Sequence, residues 1–133
     1  MQSERKRRVL IVGNNERILA TFQDVLGREG FDTHTTWSGH EALALLQFRE
    51  FDVLLVDDYL PDLHASDFLD RVGRLRIRPW IVVMQASAPT ARHLRHYSSM
   101  GASAVVRKHH LAEVRNAVGS CCGDEPPART YVT

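Results

Sequence analysis

The sequence has few cysteines and no long apolar run, and each lack excludes a class of protein. Its only cysteines, Cys121 and Cys122, are adjacent, so they cannot join distant elements through a disulfide. A disulfide-stabilised secreted fold is therefore excluded, and a reducing, cytoplasmic location is expected. No apolar stretch approaches the roughly 20 residues that cross a bilayer, so no membrane partner is expected.

The chain also lacks a dominant charge. Seventeen Lys and Arg residues stand against 16 Asp and Glu residues, a formal net charge of +1 that gives no reason to expect direct nucleic-acid binding. Positive charge is concentrated only at residues 5–8 (RKRR), and residues 1–7 are interpreted as a solvated basic arm. The length and ordinary composition predict one domain over residues 8–120, followed by a linker-like or flexible tail at 121–133.

Short apolar runs alternate with amphipathic helical segments along the whole domain. Five such alternations without a long loop predict a parallel sheet that helices cover on both faces. We expect the α/β flavodoxin-like (βα)5 fold, a doubly wound parallel sheet with strand order 2-1-3-4-5. The predicted strands are residues 9–12, 31–36, 53–56, 80–84 and 103–106.

Several residues predict where the helices begin. Small polar side chains at these places can accept hydrogen bonds from the unpaired N–H groups of a first helical turn. The predicted starts are Asn14 or Asn15 as the cap of the first helix, Ser38 with Glu41 as a capping box for the second, Ser66 as the cap of a third helix that reaches Leu75, and Pro89 in the first turn of the fourth.

The third apolar run, Val53–Val56, stops at two carboxylates, Asp57 and Asp58. Ligands of open α/β sheets bind outside the carboxyl ends of the strands, where the strand order reverses. Asp57 is there either a solvated strand-end acid or a reacting group. The polar residues expected on the same rim are Gly13, Asn14, Asp58, Gln85 and Lys108.

The spacing of four sequence blocks resembles the receiver domain of bacterial two-component response regulators, over residues 8–120. The blocks are Asp57 after its apolar run, Leu60-Pro61, Gly101–Ser103 and Lys108. The resemblance implies a phosphorelay role, in which Asp57 accepts a phosphoryl group from a histidine kinase and Lys108 pairs with the phosphate. It also implies a signalling module that is not itself an enzyme.

The same resemblance implies a Mg²⁺ site, here at Asn14, Asp57 and Tyr59. The acidic pair expected after the first strand is replaced by Gly13 and Asn14, and neither is a carboxylate. A pair of unit charges about 4 Å apart is worth about 4 kcal/mol at an effective dielectric constant of roughly 20. Low affinity for Mg²⁺ is therefore expected. Asp58 is expected to point away from the site.

The remaining site positions also follow from the resemblance. A hydroxyl that binds phosphoryl oxygens is expected at the end of the fourth strand, where this chain has Gln85 or Ala86, with Ser87 next along the loop. These three residues and Lys108 are the predicted phosphate-binding set. The aromatic residue that takes part in the family's switch corresponds to Val105.

The sequence is compatible with several functions. The retained Asp57 and Lys108 favour phosphorylation, whereas the missing acids favour a pseudo-receiver that binds partners without it, and a homodimer is open in either case. The pair could also be a plain ion pair between the third and fifth strands. A phosphatase of the haloacid-dehalogenase type would need a second Asp at Tyr59, and a flavin-binding protein would need a hydroxyl-rich loop at 13–16.

Overall fold

The computed structural model describes residues 6–121 and shows five strands and five helices in strict alternation. The strands are β1 (Arg8–Val12), β2 (Asp32–Thr36), β3 (Val53–Asp57), β4 (Trp80–Gln85) and β5 (Ala104–Arg107). The helices are α1 (Glu16–Arg28), α2 (Gly39–Phe48), α3 (Ala65–Val72), α4 (Ala91–Ser99) and α5 (Leu111–Ser120).

Every strand pairing is parallel, and the order across the sheet is β2-β1-β3-β4-β5. This confirms the predicted flavodoxin-like fold. β3 is central, and all five of its residues are buried, because helices cover both faces of the sheet. Since the strands are parallel, their carboxyl ends meet at one edge, which is where Asp57 ends β3.

Two apolar layers pack on the two faces of the sheet. Leu54 belongs to the layer under α2, α3 and α4, where Phe68 is fully buried. Leu55, the next residue, belongs to the layer under α1 and α5 with Phe22. Successive side chains of a strand point to opposite faces, so one unbroken apolar run serves both layers. Each such side chain contributes roughly 1.5–3 kcal/mol through burial.

The first two helices begin at predicted caps. Asn15, rather than Asn14, caps α1, and its side chain accepts hydrogen bonds from the first turn. Ser38 caps α2 by accepting from the Glu41 N–H at 3.1 Å. The reciprocal half of the predicted capping box is absent, because the Glu41 carboxylate accepts from the Thr36 hydroxyl, and the Ser38 N–H donates to that hydroxyl instead.

The predicted start of the third helix was wrong. His64 is the cap, and its Nδ1 accepts from the N–H of Ser66 at 3.3 Å. Ser66 instead places its hydroxyl 3.0 Å from Nε2 of His96 on α4, which links the two helices. The helix also stops before Gly73, short of the predicted Leu75, because glycine disfavours helix continuation.

The fourth helix is capped by Thr90, so Pro89 lies before the cap and not in the first turn as predicted. His93 completes this cap, because its Nδ1 accepts from the Thr90 N–H at 3.1 Å. α4 contains no fully buried residue. It ends before Gly101, whose φ of 103° lies in the left-handed region that glycine favours.

The ends of the domain lie partly outside the described residues. Of the predicted arm, only residues 6 and 7 are described, and the Arg7 carbonyl accepts from the Asp32 N–H at 2.8 Å. Cys121, the first residue of the predicted tail, is buried in the layer under α5, while residues 122–133 lie outside the described range. Between residues 6 and 121, no helix is long and apolar enough to cross a membrane.

Candidate functional site

Asp57 and Lys108 form a buried ion pair at the carboxyl edge of the sheet. The Lys108 Nζ donates to Asp57 Oδ2 at 2.8 Å, and the exposed fractions of the two side chains are 12% and 2%. The Tyr59 N–H donates to the other oxygen, Asp57 Oδ1, at 3.0 Å. Burial weakens solvent screening, so the carboxylate depends strongly on these partners.

Lys108 is held in place by backbone and side-chain contacts that involve β4, β5 and α5. Its backbone N–H donates to the Gln85 carbonyl at 2.8 Å, which continues the pairing of β5 with β4. The preceding residue, Arg107, binds Glu113 through its backbone N–H at 3.0 Å and its guanidinium at 2.6 Å. These hydrogen bonds hold the pKa of Glu113 low, at about 2. The loop that carries Lys108 is therefore tied to both flanking elements.

The sequence predicted that Asp58 points away from the site, and this prediction was wrong. Its carboxyl group lies within hydrogen-bonding range of Asp57, while its N–H donates to the Met84 carbonyl at 2.8 Å. Burial, the hydrogen bond to Asp57 and the charge of Asp57 together raise the pKa of Asp58 to about 6. The alternation of side chains that directs a strand residue outward ends with β3 at Asp57.

Tyr97 of α4 is a neighbour of the site, although its place in a mostly polar helical segment gives no sign of this in the sequence. Its half-buried phenol has a raised pKa, because of burial and then the negative charges of Asp58 and Asp57. Val105, the predicted switch position, is half-buried and packs with Tyr97 against the layer under α4. Tyr97 and Val105 lie on one side of the cleft around Asp57, at the carboxyl edge of the sheet. The aromatic group on this side thus comes from α4 and not from β5.

The side of the cleft formed by β1 is neutral. Asn14 Nδ2 donates to the Tyr59 carbonyl at 2.9 Å, so the two predicted metal residues bind each other. A Cβ atom added to Gly13 would lie 3.9 Å from the Cβ of Asp57, so this position lies beside the Asp57 side chain. Between residues 6 and 121, no group of three or more His, Cys, Asp or Glu residues could hold a metal ion. The side of β1 therefore supplies none of the charged oxygen ligands that Mg²⁺ takes.

The predicted phosphate-binding residues at the end of β4 and in the loop after it differ in exposure. Gln85 is 2% exposed, and its Nε2 donates to the Ser87 carbonyl at 3.1 Å and to His93 Nδ1 at 3.2 Å. Ala86 and Ser87 are exposed on the loop. The buried amide of Gln85 therefore joins β4 to the start of α4. His93 could not be found from the sequence, because a helical histidine gives no sign of a partner on a strand.

Comparison with known proteins gives the same assignment along most of the chain. The family model of the response regulator receiver domain matches residues 9–118. The alginate biosynthesis transcriptional regulatory protein AlgB of Pseudomonas aeruginosa is 34% identical over 90 residues, which cover 67% of this chain and 19% of AlgB. The response regulator SaeR of Staphylococcus aureus is 29% identical over 101 residues, covering 75% of this chain and 43% of SaeR. The chain thus spans less than half the length of these curated relatives.

Solved structures show the same fold. The chemotaxis response regulator CheY4 of Vibrio cholerae superposes with a TM-score of 0.82 at 20% identity, covering 88% of this chain and 99% of CheY4. The receiver domain of HemR from Leptospira biflexa superposes with a TM-score of 0.80 at 22% identity, covering 92% and 99%. With the family match over residues 9–118, these findings show that the chain belongs to the response regulator receiver domains of two-component systems.

Proposed function

We propose that Asp57 is the phosphoacceptor of this receiver domain, that a histidine kinase supplies the phosphoryl group, and that Lys108 binds the phosphate once formed. The contact that supports this most is the one between Lys108 Nζ and Asp57 Oδ2, at 2.8 Å. Phosphoryl transfer places negative charge beside the accepting carboxylate, and a fixed ammonium group stabilises that charge. In this role the domain is a substrate of the kinase and not an enzyme.

The reaction uses one oxygen of Asp57 as nucleophile. Oδ1, which accepts from the Tyr59 N–H while Lys108 Nζ donates to Oδ2, attacks the phosphorus of a phosphohistidine. The P–N bond breaks, its electron pair stays on the imidazole nitrogen, and that nitrogen takes a proton from water. An acyl phosphate on Asp57 results, and the ammonium of Lys108 pairs with its oxygens.

A second candidate is a binding module that meets partners without phosphorylation. The observation that favours it is the hydrogen bond between Asn14 Nδ2 and the Tyr59 carbonyl, which replaces acid groups by a neutral contact. Weak Mg²⁺ binding belongs to both candidates, and they differ in whether Asp57 is modified. In both, the domain works in the cytoplasm on a protein partner, with neither nucleic acid nor membrane bound directly.

Intact mass spectrometry after incubation with acetyl phosphate separates the two candidates. The phosphoacceptor proposal predicts a single phosphoryl adduct on the chain without substitutions. The adduct should form slowly, and added Mg²⁺ should change its rate of formation little. Asp57→Asn should show no adduct, while Asp58→Asn, one residue away, should still be modified. If the chain without substitutions gains no adduct under conditions that phosphorylate an ordinary receiver domain, the phosphoacceptor proposal is wrong and the binding module is the supported function.

A further inference from the structure

A groove of about 600 Å³ lies between the end of α2 and the connection from α3 to β4. These two segments lead into the starts of β3 and β4, which are neighbours in the sheet. The groove is therefore at the opposite edge of the sheet from Asp57. A strand of five residues spans roughly 17 Å, so the groove is remote from the acceptor site and needs its own explanation.

Two large apolar side chains of this groove are exposed to solvent. Phe48, at the end of α2, is 83% exposed, and Ile77, before β4, is 60% exposed. Leu75 also lines the groove and is half-buried. Single exposed apolar residues are ordinary, but several that share one concave surface are typical of a binding site.

The groove carries a net positive charge. Arg49, Arg74 and Arg76 line it, and Glu50 is the acidic residue among its lining. Arg74 pairs with Asp70 at 2.9 Å, but both side chains are exposed, and such an i,i+4 pair is worth only about 0.3–0.5 kcal/mol. A ligand with carboxylates could therefore take over this arginine at little cost.

We propose that the groove binds an acidic peptide segment of a partner protein, with one large apolar side chain of that segment placed between Phe48 and Ile77. The exposed apolar side chains and the arginines that line the groove complement such a segment in both character and charge. A symmetric contact between two copies of this chain would set arginine against arginine. A nucleic acid would use the arginines but leave Phe48 and Ile77 without a partner. This site goes beyond the phosphoacceptor proposal and is independent of it.

The test uses the full chain and a short synthetic peptide in which glutamates flank one tryptophan. Amide chemical shifts are recorded by NMR during titration, and affinity is measured by fluorescence anisotropy. We expect shifts at residues 48–50 and 74–77. Arg74→Glu with Arg76→Glu should weaken binding at least about tenfold, since two attractions become repulsions. Ile77→Ser should weaken it several-fold.

Controls separate charge, apolar contact and folding. Arg92→Glu with Arg115→Glu changes the net charge equally on exposed positions of α4 and α5, so this variant should keep full affinity. All variants are checked by circular dichroism. Peptides with Gln for Glu, or with Gly for Trp, should bind more weakly than the parent peptide.

Several results would overturn the proposal. They are the absence of shifts in the groove at millimolar peptide, equal binding of the Gln peptide, or affinity that survives the double charge reversal. Tighter binding of a DNA or RNA oligonucleotide to the same residues would make the groove a nucleic-acid site. Concentration-dependent association that maps to residues 74–77 would make it an interface between copies of this chain.

Discussion

The two sides of the cleft around Asp57 use opposite chemistry. On the side of β5, Asp57 and Lys108 form a charged pair that is almost fully buried. On the side of β1, an exposed asparagine donates to the Tyr59 carbonyl, and no charge is involved. Removing one partner of a buried ion pair leaves an uncompensated charge and destabilises the fold, whereas an exposed neutral contact can be replaced at little cost in stability. Residues on the side of β5 are therefore constrained in type, whereas residues on the side of β1 can be substituted.

The largest effect is expected from restoring acids on the neutral side. Gly13→Asp with Asn14→Asp should raise Mg²⁺ affinity by roughly a thousandfold, since about 4 kcal/mol of charge attraction is restored. The new Cβ at Gly13 would lie 3.2 Å from Cδ2 of Leu19, a flexible side-chain end that can shift. Isothermal titration calorimetry measures the affinity.

Gly13→Asn is the matched control for that variant, because it adds a side chain of the same shape without charge. It should leave Mg²⁺ affinity low. Equal affinity in the diacid variant and the unmodified chain would show that the missing charges do not limit metal binding.

The next effect is expected from breaking the charged side. Lys108→Met leaves the Asp57 carboxylate buried without its ammonium partner, and should lower the free energy of unfolding at pH 7 by about 3 kcal/mol. Urea denaturation measures the loss. Asp57→Asn combined with Lys108→Met should recover most of it, because no unpaired charge remains. Additive losses in the double variant would mean that the pair does not couple.

A smaller, pH-dependent effect is expected from Asp58, which touches the charged side. Its pKa is raised from 3.8 to about 6, so the folded state binds this proton more tightly than the unfolded state does. Its contribution is therefore most favourable below about pH 4 and is lost as the pH rises through about 6. Since the group is half-exposed, solvent screening reduces the effect.

Asp58→Asn should thus be more stable than the unmodified chain at pH 7.5, by about 1 kcal/mol, with the gain vanishing toward pH 4. Thermal and urea unfolding across this pH range measure it. Asp67→Asn, at an exposed position on α3, is the control and should show no such gain. A gain for Asp58→Asn that is the same at pH 4 and pH 7.5 would contradict the assigned pKa.

The sequence predicted the larger features of the site better than the local ones. Asp57 and Lys108 are 51 residues apart in the chain, yet strand order alone placed them at one edge of the sheet. The cap of α3 was missed, because a histidine ring nitrogen at His64 took the role expected of Ser66. The functional roles of all the candidate site residues, Asp57 and Lys108 as well as Gln85, Ser87 and Val105, stay predictions.

The alternation of apolar runs and amphipathic helices was enough to determine the fold, because the period of apolar residues encodes which faces become buried. Only the tertiary structure decided where the side chains at the strand ends point. Asp58 is directed toward Asp57, Gln85 is directed toward α4, and Phe48 and Ile77 line the same groove. Beyond the end of a strand, backbone periodicity no longer directs a side chain. Its direction then depends on neighbours that are distant in sequence and are brought close only by folding.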